Sequence, residues 1–233
     1  MNSDFDKNSI DPAVLARETA LQMSERLSLV SLKPKRILEV SLRFGENTPL
    51  LKKRYPDAEI VSSDYLIDTL PFDDNSIDLI FANLVLPWCK NNEKVLREWQ
   101  RVLRPEGLLM FTSLGPDTLR EIQQRSEVLR PQLIEMHNAG DKLAEIGFAD
   151  PVLDIEYFTL VYRDFQTLLA ELRAAQMISL EAISLSIEKN KEGAFALTYE
   201  VVYAHAWGSE TRTSYSADEA GVVKIPLDAL RRR

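Results

Sequence analysis

Residues Asp78–Ile122 read DLIFANLVLPWCKNNEKVLREWQRVLRPEGLLMFTSLGPDTLREI, and this stretch decides the fold. It opens within an apolar run, Ile77–Ala82, which is typical of a buried strand. The helix that follows has its apolar side chains on one stripe, and Pro105 and Gly107 end it. Leu108–Thr112 then has the composition of a second buried strand. This order predicts a parallel β-α-β unit.

The same alternation continues on both sides of this stretch. Upstream, the sequence predicts a helix at Ala13–Val30 and strands at Lys35–Val40 and Ala58–Ser63. Downstream, it predicts a helix at Asp117–Leu129 and a strand at Phe195–Trp207. Alternating strands and helices predict an α/β fold with a mainly parallel sheet that is covered on both faces. We expect a single domain over residues 1–233, with a helical insertion at about residues 163–193.

Composition excludes several classes of function. The net charge of −8 argues against nucleic acid as the main partner. No apolar run approaches the roughly 20 residues of a membrane-spanning helix. Cys89 is the single cysteine, so no intramolecular disulfide can form, which fits a cytoplasmic location. With two histidines and that one cysteine, no His/Cys metal site is expected.

Three blocks of the sequence resemble one protein family. The first is Asp78–Trp88 with the following helix and the RPEG turn at Arg104–Gly107, and it is shared by many Rossmann-type S-adenosylmethionine (SAM) methyltransferases. The second is Ser113–Ile122, and the third is Met136–Leu160 followed by Leu197–Gly208. Together they resemble the malonyl-acyl-carrier-protein O-methyltransferases of biotin synthesis, often called BioC. They are also similar to a cousin family, the SAM-binding arginine hydroxylases that assist assembly of respiratory complex I.

This resemblance implies a Rossmann-like methyltransferase fold with an antiparallel C-terminal strand. It also implies a SAM-dependent enzyme that methylates the free carboxylate of malonyl-acyl carrier protein (ACP), with ACP as its partner. A carboxylate is already a competent nucleophile, so positioning and removal of water suffice and no strong base is expected. No catalytic residue is therefore assigned.

The loop after the first strand departs from the family pattern, in which an acid is followed by three alternating glycines. In the run Leu38–Gly45, Glu39 and Gly45 keep the pattern, while Ser41 and Arg43 replace the first two glycines. Glycine allows positive φ angles and a close approach of the backbone to a ligand. A residue with a side chain costs about 1–2 kcal/mol in left-handed geometry. Either the loop takes another path or the pocket is filled.

A second departure predicts a shorter sheet. Twelve residues, Tyr65–Ser76, separate Asp64 from the next strand. A parallel crossover alone needs at least about 10–12 residues, and a further helix and strand need more. We therefore expect one edge helix–strand unit of the family fold to be missing, together with a wall of the adenine pocket. The second strand would then have an exposed edge, through which the chain can associate with itself or with another chain.

Four residues are predicted to bind the cofactor: Glu39, Gly45, Asp64 and Asn83. Asp64 lies 19 residues after Gly45, close to the roughly 20 expected for an acid that binds ribose. Asn83 ends its strand at the edge where open α/β sheets bind ligands. Structural alternatives stay open: Glu39 as a cap of the helix at Thr48, Asp64 as a turn residue, and Asn83 as a side chain that closes its loop.

Two residues are predicted to bind the substrate. Trp88 would line a substrate pocket, with burial in the core as the alternative. The family has an arginine just before the Met136-His137 motif, where it would meet the substrate carboxylate. Gln132 falls near that position here, and Arg130 is predicted to take its place.

Three functions are compatible with these observations. The first is a divergent SAM-dependent carboxyl methyltransferase. The second is a non-catalytic descendant that binds ACP or an intact paralogous methyltransferase, and the third is an assembly factor like the hydroxylase cousin. The changes at Ser41–Phe44 and Tyr65–Ser76 weigh against catalysis, whereas the blocks at 113–122 and 136–208 favour binding through the C-terminal half. The sequence leaves enzymatic activity open.

Overall fold

The computed structural model describes residues 13–42, 45–64, 69–122, 129–178 and 186–209. This part of the chain contains six strands: β1 (Arg36–Ser41), β2 (Glu59–Asp64), β3 (Ile77–Asn83), β4 (Leu103–Leu114), β5 (Ala149–Tyr162) and β6 (Phe195–Trp207). It also contains five α-helices: α1 (Ala13–Arg26), α2 (Thr48–Arg54), α3 (Asn92–Val102), α4 (Met136–Ile146) and α5 (Phe165–Ala174). None of these helices is long and apolar enough to cross a lipid bilayer.

The strands form one sheet in the order β2-β1-β3-β4-β6-β5. The pairs from β2 to β4 are parallel, whereas β6 runs antiparallel to both β4 and β5. The predicted Rossmann-like fold, with a mainly parallel sheet and an antiparallel C-terminal strand, is confirmed. The prediction of a single domain with a helical insertion at 163–193 stays a prediction, and α5 is the helix described in that range.

Local sequence explains where several helices begin and end. The Asn91 side chain accepts the Lys94 N–H at 2.9 Å and caps α3. Asp164 caps α5 in the same way, accepting the Thr167 N–H at 2.7 Å. Gly147 ends α4 with a left-handed φ of 111°, which a residue without a side chain adopts at little cost. These signals are readable before any tertiary contact is known.

Apolar layers cover both faces of the sheet. On one face, α1, α2 and α5 contribute the buried Met23, Leu51 and Leu168. On the other face, α3 and α4 contribute Trp99 and Leu143. The central strand β3 is buried on both sides, which is why its sequence is almost continuously apolar.

The sheet ends at β2 in the part of the chain that the structure describes, as the short connection to β3 predicts. The described end of that connection is held by α3. Glu98 accepts the Leu70 N–H at 2.7 Å, and Arg101 donates to the carbonyl oxygens of Leu70 and Phe72. Arg101 also holds the pKa of the Glu98 carboxyl below its ordinary value. Leu70 is thereby fixed as a buried residue in the connection between β2 and β3.

The segment Ser113–Ile122 docks on β6 instead of forming the start of a helix. Gly115 N–H donates to the Glu200 carbonyl at 2.8 Å, and Leu119 N–H donates to the Thr198 carbonyl at 2.6 Å. Leu119 has a positive φ of 55°, which is incompatible with a right-handed helix. The predicted helix Asp117–Leu129 is therefore wrong as far as Ile122, and its residues 123–128 lie outside the described residues. Bonds to a distant strand replaced the bonds of a local helix.

Two buried or half-buried carboxylates complete this docking. Glu121 accepts both the N–H and the hydroxyl of Thr198, at 2.9 and 2.5 Å. The Glu200 side chain accepts the Asp117 N–H at 2.5 Å and lies so close to Gly115 that an added Cβ would be 2.3 Å from it. The second block and the end of the third block of the family resemblance are thus one interlocked unit.

The RPEG segment, Arg104–Gly107, belongs to the start of β4, since α3 ends at Val102, before Pro105, and it makes a similar contact with the end of β6. Glu106 N–H donates to the Gly208 carbonyl at 2.9 Å, and Gly208 N–H donates to the Gly107 carbonyl at 2.8 Å. A Cβ added to Gly208 would lie 2.1 Å from the Arg104 carbonyl oxygen. Only glycine fits at this approach of two backbones.

Candidate functional site

A cavity of about 240 Å³ lies at the carboxyl ends of β1, β3 and β4. Leu42 follows β1 in its wall, Leu84 follows β3, and Leu114 ends β4. The strand order reverses between β1 and β3, so the cavity occupies the switch point where open α/β sheets bind ligands. The other walls come from α1, the loop after β1, β5, β6 and the end of α5: Leu15, Ala16, Glu46, Trp88, Leu160, Tyr162, Glu171, Ala174, Ala175, Gln176, Met177 and Tyr199.

Glu39, the acid of the altered glycine motif, is fully buried beneath this loop. Its Oε1 accepts the Asn47 N–H at 2.6 Å and the Ser41 hydroxyl at 3.2 Å. Its Oε2 accepts the Ser62 hydroxyl at 3.0 Å and the Thr48 hydroxyl at a shorter distance. A carboxylate has about four acceptor positions, and all are occupied by the protein. The carboxylate therefore fixes the start of α2, and its predicted contact with a cofactor is untested.

Gly45 has a left-handed φ of 73°. Its carbonyl oxygen accepts the Thr48 N–H at 3.2 Å, in the turn that leads into α2. A side chain at this φ would be strained, so the glycine has a local structural reason to be present. The replaced position Arg43 and its neighbour Phe44 lie outside the described residues.

Asn83 ends β3 but points to α1 and β4, where it is almost completely buried. Its Oδ1 accepts the hydroxyls of Thr19 and Thr112, each at 2.8 Å, and its Nδ2 donates to the Ala16 carbonyl at 2.7 Å. All of these groups belong to the protein. Asn83 thereby holds α1 over the carboxyl ends of the strands through Ala16, which itself lines the cavity.

Asp64 ends β2 with an exposed side chain. The enclosed cleft beside it has a volume of about 10 Å³, and its walls include Leu70, Val85 and Trp99. This is room for about one water molecule. The described walls of this cleft leave no room for a nucleoside, whereas the Asp64 side chain is exposed to solvent.

The two predicted substrate residues have different positions. Trp88 is half-buried and lies in the cavity wall, and its contact with a substrate stays a prediction. Arg130 has an exposed side chain, and its backbone N–H donates to the Met177 carbonyl at 3.1 Å. Met177 itself lines the cavity. Arg130 is thus next to the cavity wall without being one of its lining residues.

Sequence analysis did not single out the polar wall formed by Tyr162, Tyr199 and Glu171. Tyr162, Tyr199 and Glu171 lie together in this wall of the cavity. Burial raises the pKa of both tyrosines far above the ordinary value, so both hydroxyls stay protonated. The alternating pattern of β6 placed Tyr199 on a face with other large residues, but no sequence signal connected it with Glu171.

These residues fit SAM, the cofactor that the resemblance implies, only in part. The cavity has the room and the carboxylates, Glu46 and Glu171, to accept the cationic end of such a molecule. The enclosed space beside Asp64 does not accommodate the nucleoside end. The described residues therefore separate a larger cavity from a small cleft on the two faces of one sheet.

Solved structures share this fold. The YcgJ protein of Bacillus subtilis matches with a TM-score of 0.54, covering 83% of this chain and 99% of its own, at 12% sequence identity. A family model described as "Methyltransferase domain" matches residues 44–111. That match begins just after the altered positions Ser41 and Arg43, so it rests on the strands and helices that follow the loop.

Relatives with similar sequences extend over nearly the whole chain. A malonyl-[acyl-carrier protein] O-methyltransferase of Gallionella capsiferriformans is 34% identical over 91% of this chain and 89% of its own length. A protein of the same name from a Methylovorus species is 33% identical over 87% of this chain and 85% of its own length. The first alignment spans 263 positions, more than the 233 residues here, so the relative has residues without a counterpart in this chain. A sheet that ends at β2 agrees with such a deletion. The chain belongs to the malonyl-acyl-carrier-protein O-methyltransferase family.

Proposed function

We propose that this chain is a SAM-dependent methyltransferase that acts on the free carboxylate of malonyl-ACP in biotin synthesis. The observation that carries the proposal is 34% identity over 91% of the chain to a relative of that name. Similarity over the whole length includes both halves of the sheet and the interlocked C-terminal blocks. ACP is accordingly the proposed partner.

The cavity supports this proposal by its position and composition. Its walls are mostly apolar, and α1 covers one side, so a bound acyl group would be shielded from water. Shielding and positioning are the main demands when a carboxylate is the nucleophile. Trp88 would contact the acyl group, and Arg130 would approach its carboxylate from the neighbouring rim. For the cofactor, Asp64 is proposed to bind ribose from its exposed side.

Calorimetric titration with SAM and with S-adenosylhomocysteine tests the cofactor. Micromolar binding is expected for the intact chain. Asp64→Asn should weaken it by about tenfold, the loss expected for one charge-assisted hydrogen bond. Asp57→Asn is the matched control, because Asp57 is also exposed but lies before β2 at the opposite end of the strand. Methylation of malonyl-ACP is then assayed with the same preparations.

Absence of heat and of thermal stabilisation with either nucleoside would contradict the methyltransferase proposal for the isolated chain. Equal SAM affinity of the Asp64 and Asp57 variants would leave the enzyme proposal intact but remove Asp64 from the site.

The closed cleft beside Asp64 favours a second candidate, a non-catalytic member of the family that binds a partner. In this alternative, ACP, an intact paralogous methyltransferase or a second copy of the chain pairs with the edge of β2. Affinity capture with ACP and with the paralogue, together with light scattering over a range of concentrations, tests it. A monomer that captures neither partner while turning over SAM would exclude this alternative.

A further inference from the structure

A cluster of three buried polar side chains joins three elements next to the cavity. Thr19 lies on α1, Asn83 ends β3, and Thr112 lies on β4. Asn83 Oδ1 accepts the hydroxyls of both threonines, each at 2.8 Å. The threonines are 64 and 29 residues away from Asn83 in the chain, so the cluster exists only in the folded protein.

This cluster holds two residues of the cavity wall through their backbones. Asn83 Nδ2 donates to the Ala16 carbonyl at 2.7 Å, and the Thr112 hydroxyl oxygen accepts the Leu84 N–H at 2.9 Å. Ala16 and Leu84 both line the cavity. Hydrogen bonds have preferred lengths and angles, whereas apolar contacts are non-directional and adapt more easily. The distance between α1 and the end of β3 is therefore set by polar contacts of fixed geometry.

The backbone of Leu84 indicates that its position is enforced. Leu84 has a φ of 51°, in the left-handed region that residues with a side chain rarely adopt. Such a conformation is costly and persists only where the surrounding structure holds it, which occurs mostly at functional sites. The bond from its N–H to Thr112 is one contact that holds it here. The fold therefore keeps this wall residue in place against its backbone preference.

A second anchor prevents α1 from pivoting. The Arg26 guanidinium lies 3.8 Å from the centre of the Tyr203 ring and bonds to Asp154 and Glu156, each at 2.8 Å. Arg26 is ten residues after Ala16, which is about 15 Å along a helix. Since α1 is held both at Asn83 and at its carboxyl end, it can move away from the strands only by breaking one set of these bonds.

We propose that Asn83 is a positioning residue, which fixes the gap between α1 and the end of β3 and thereby limits the bulk of the acyl group that the cavity accepts. In this arrangement α1 is a fixed wall of the cavity and does not open as a lid for the substrate. The fixed gap follows from the bonds of Asn83 alone. The limit on the acyl group rests on the proposed methyl transfer to malonyl-ACP.

Hydrogen exchange of the backbone amides tests the fixed gap. Thr19→Val removes the α1 hydroxyl that bonds to Asn83 and keeps a β-branched side chain of nearly the same shape. We expect the amides of α1 to exchange about fivefold faster in this variant, as the loss of one hydrogen bond predicts. The amides of the buried strand β3, which report on unfolding of the core, should change much less. Equal acceleration in α1 and β3 would show a general loss of stability and overturn the inference.

Three further variants assign the effect to the cluster. Thr19→Ser keeps the hydroxyl and should restore the exchange rates of the unchanged chain. Thr159→Val makes the same substitution at an exposed threonine of β5 and should alter neither α1 nor β3. Asn83→Ala should accelerate exchange in α1 more than Thr19→Val does. If Thr19→Ser behaves like Thr19→Val, the hydroxyl bond to Asn83 does not hold α1 and the inference fails.

Malonyl-ACP and succinyl-ACP, which is longer by one methylene, test the limit on the acyl group. A pocket of fixed width discriminates against one extra methylene by about tenfold or more in kcat/KM. Thr19→Val should raise the ratio of succinyl to malonyl kcat/KM several-fold, and Thr19→Ser should leave this ratio as it is in the unchanged chain. A ratio that stays constant while the amides of α1 exchange faster would overturn the role of Asn83 in acceptor choice.

The two measurements separate this inference from the proposed function. Absence of methylation with either acceptor in every variant would contradict the methyltransferase proposal, whereas hydrogen exchange would still decide whether Asn83 fixes the cavity wall. Methylation of malonyl-ACP by a Thr19→Val variant with unchanged exchange in α1 would support the methyltransferase proposal and overturn the positioning role.

Discussion

The C-terminal region, where Ser113–Ile122 dock on β6, differs from the β1–β2 edge in what its polar groups contact. In the C-terminal region, Glu121 and Glu200 bond to groups about 80 residues away in the chain. At the β1–β2 edge, Glu39 bonds to four donors that all lie within 23 residues of it. The contacts of the C-terminal region join segments that are distant in the chain, whereas the donors around Glu39 all come from residues close to it in the chain.

This difference shows what can change in the family fold without loss of the sheet. A self-contained polar cluster at the end of β1 satisfies a buried carboxylate with protein donors alone, so the loop above it can vary. The C-terminal contacts have no such freedom, because each carboxylate and glycine fits a particular backbone group of another segment. The following predictions test the contrast in order of expected effect.

Gly208→Ala should have the largest effect on stability. The added Cβ would lie 2.1 Å from the Arg104 carbonyl oxygen, and backbone must move to relieve the overlap. We expect the free energy of unfolding to fall by about 3 kcal/mol, as for severe overpacking. Urea denaturation followed by circular dichroism measures the change.

Gly193→Ala is the matched control for that experiment. Gly193 has a φ of 78° but no atom within 4 Å of the added Cβ, so it should cost only about 1 kcal/mol. Equal losses in the two variants would contradict the close approach of the RPEG turn to β6.

Glu39→Gln tests whether the hydrogen bonds between Glu39 and its protein donors stabilise the β1–β2 edge. The amide keeps one acceptor oxygen but turns an NH₂ group toward hydroxyl and N–H donors. A loss of about 2 kcal/mol in unfolding free energy is expected from these broken charged hydrogen bonds. Glu59→Gln, an exposed carboxylate on β2, should have almost no effect. Unchanged stability with loss of SAM affinity would instead favour the predicted cofactor role of Glu39.

Glu121→Gln should weaken the C-terminal docking more mildly, by about 1 kcal/mol, because its side chain is half-buried and the amide oxygen can still accept one bond. Thr198→Val in the same background separates the contributions, since two variants that share one interaction are not additive. Full additivity would show that the carboxylate and Thr198 do not act on each other.

His205 should produce the smallest effect, a pH dependence confined to the C-terminal region. Burial on β6 lowers the pKa of its imidazole below the ordinary 6.5, and Asp154 opposes this only in part. The unfolded chain therefore binds the proton more readily than the folded one, so stability is constant above pH 6.5 and falls as the pH drops below it. In the His205→Gln variant, the urea midpoints measured just above pH 6.5 and one unit below it should differ less than they do in the unchanged chain. If the stability of the variant still falls below pH 6.5, other groups cause the pH dependence.

Particular elements show how far the sequence leads. The strand at Ile77, the helix that follows it and the shortened connection after Asp64 all follow from local composition and chain length, and the structure confirms them. The sequence predicts a helix for residues 117–122, but the Leu119 N–H donates to the Thr198 carbonyl and the Asp117 N–H to the Glu200 carboxylate, both on β6. No local pattern reveals a partner strand 80 residues away.

The candidate site likewise has some features that the sequence predicts and others that only the structure shows. The sequence alone determined the family, the altered glycine motif and the shortened edge, because motif spacing and connection length are properties of the chain itself. Only the tertiary structure decided that the donors around Glu39 and Asn83 are all internal, that Leu70 fills the space beside Asp64, and that two tyrosines and Glu171 share a wall. The donors to Asn83 and the residues of this wall come from segments that are far apart in the chain, and even the nearby donors of Glu39 and the nearby Leu70 reach their positions only through packing.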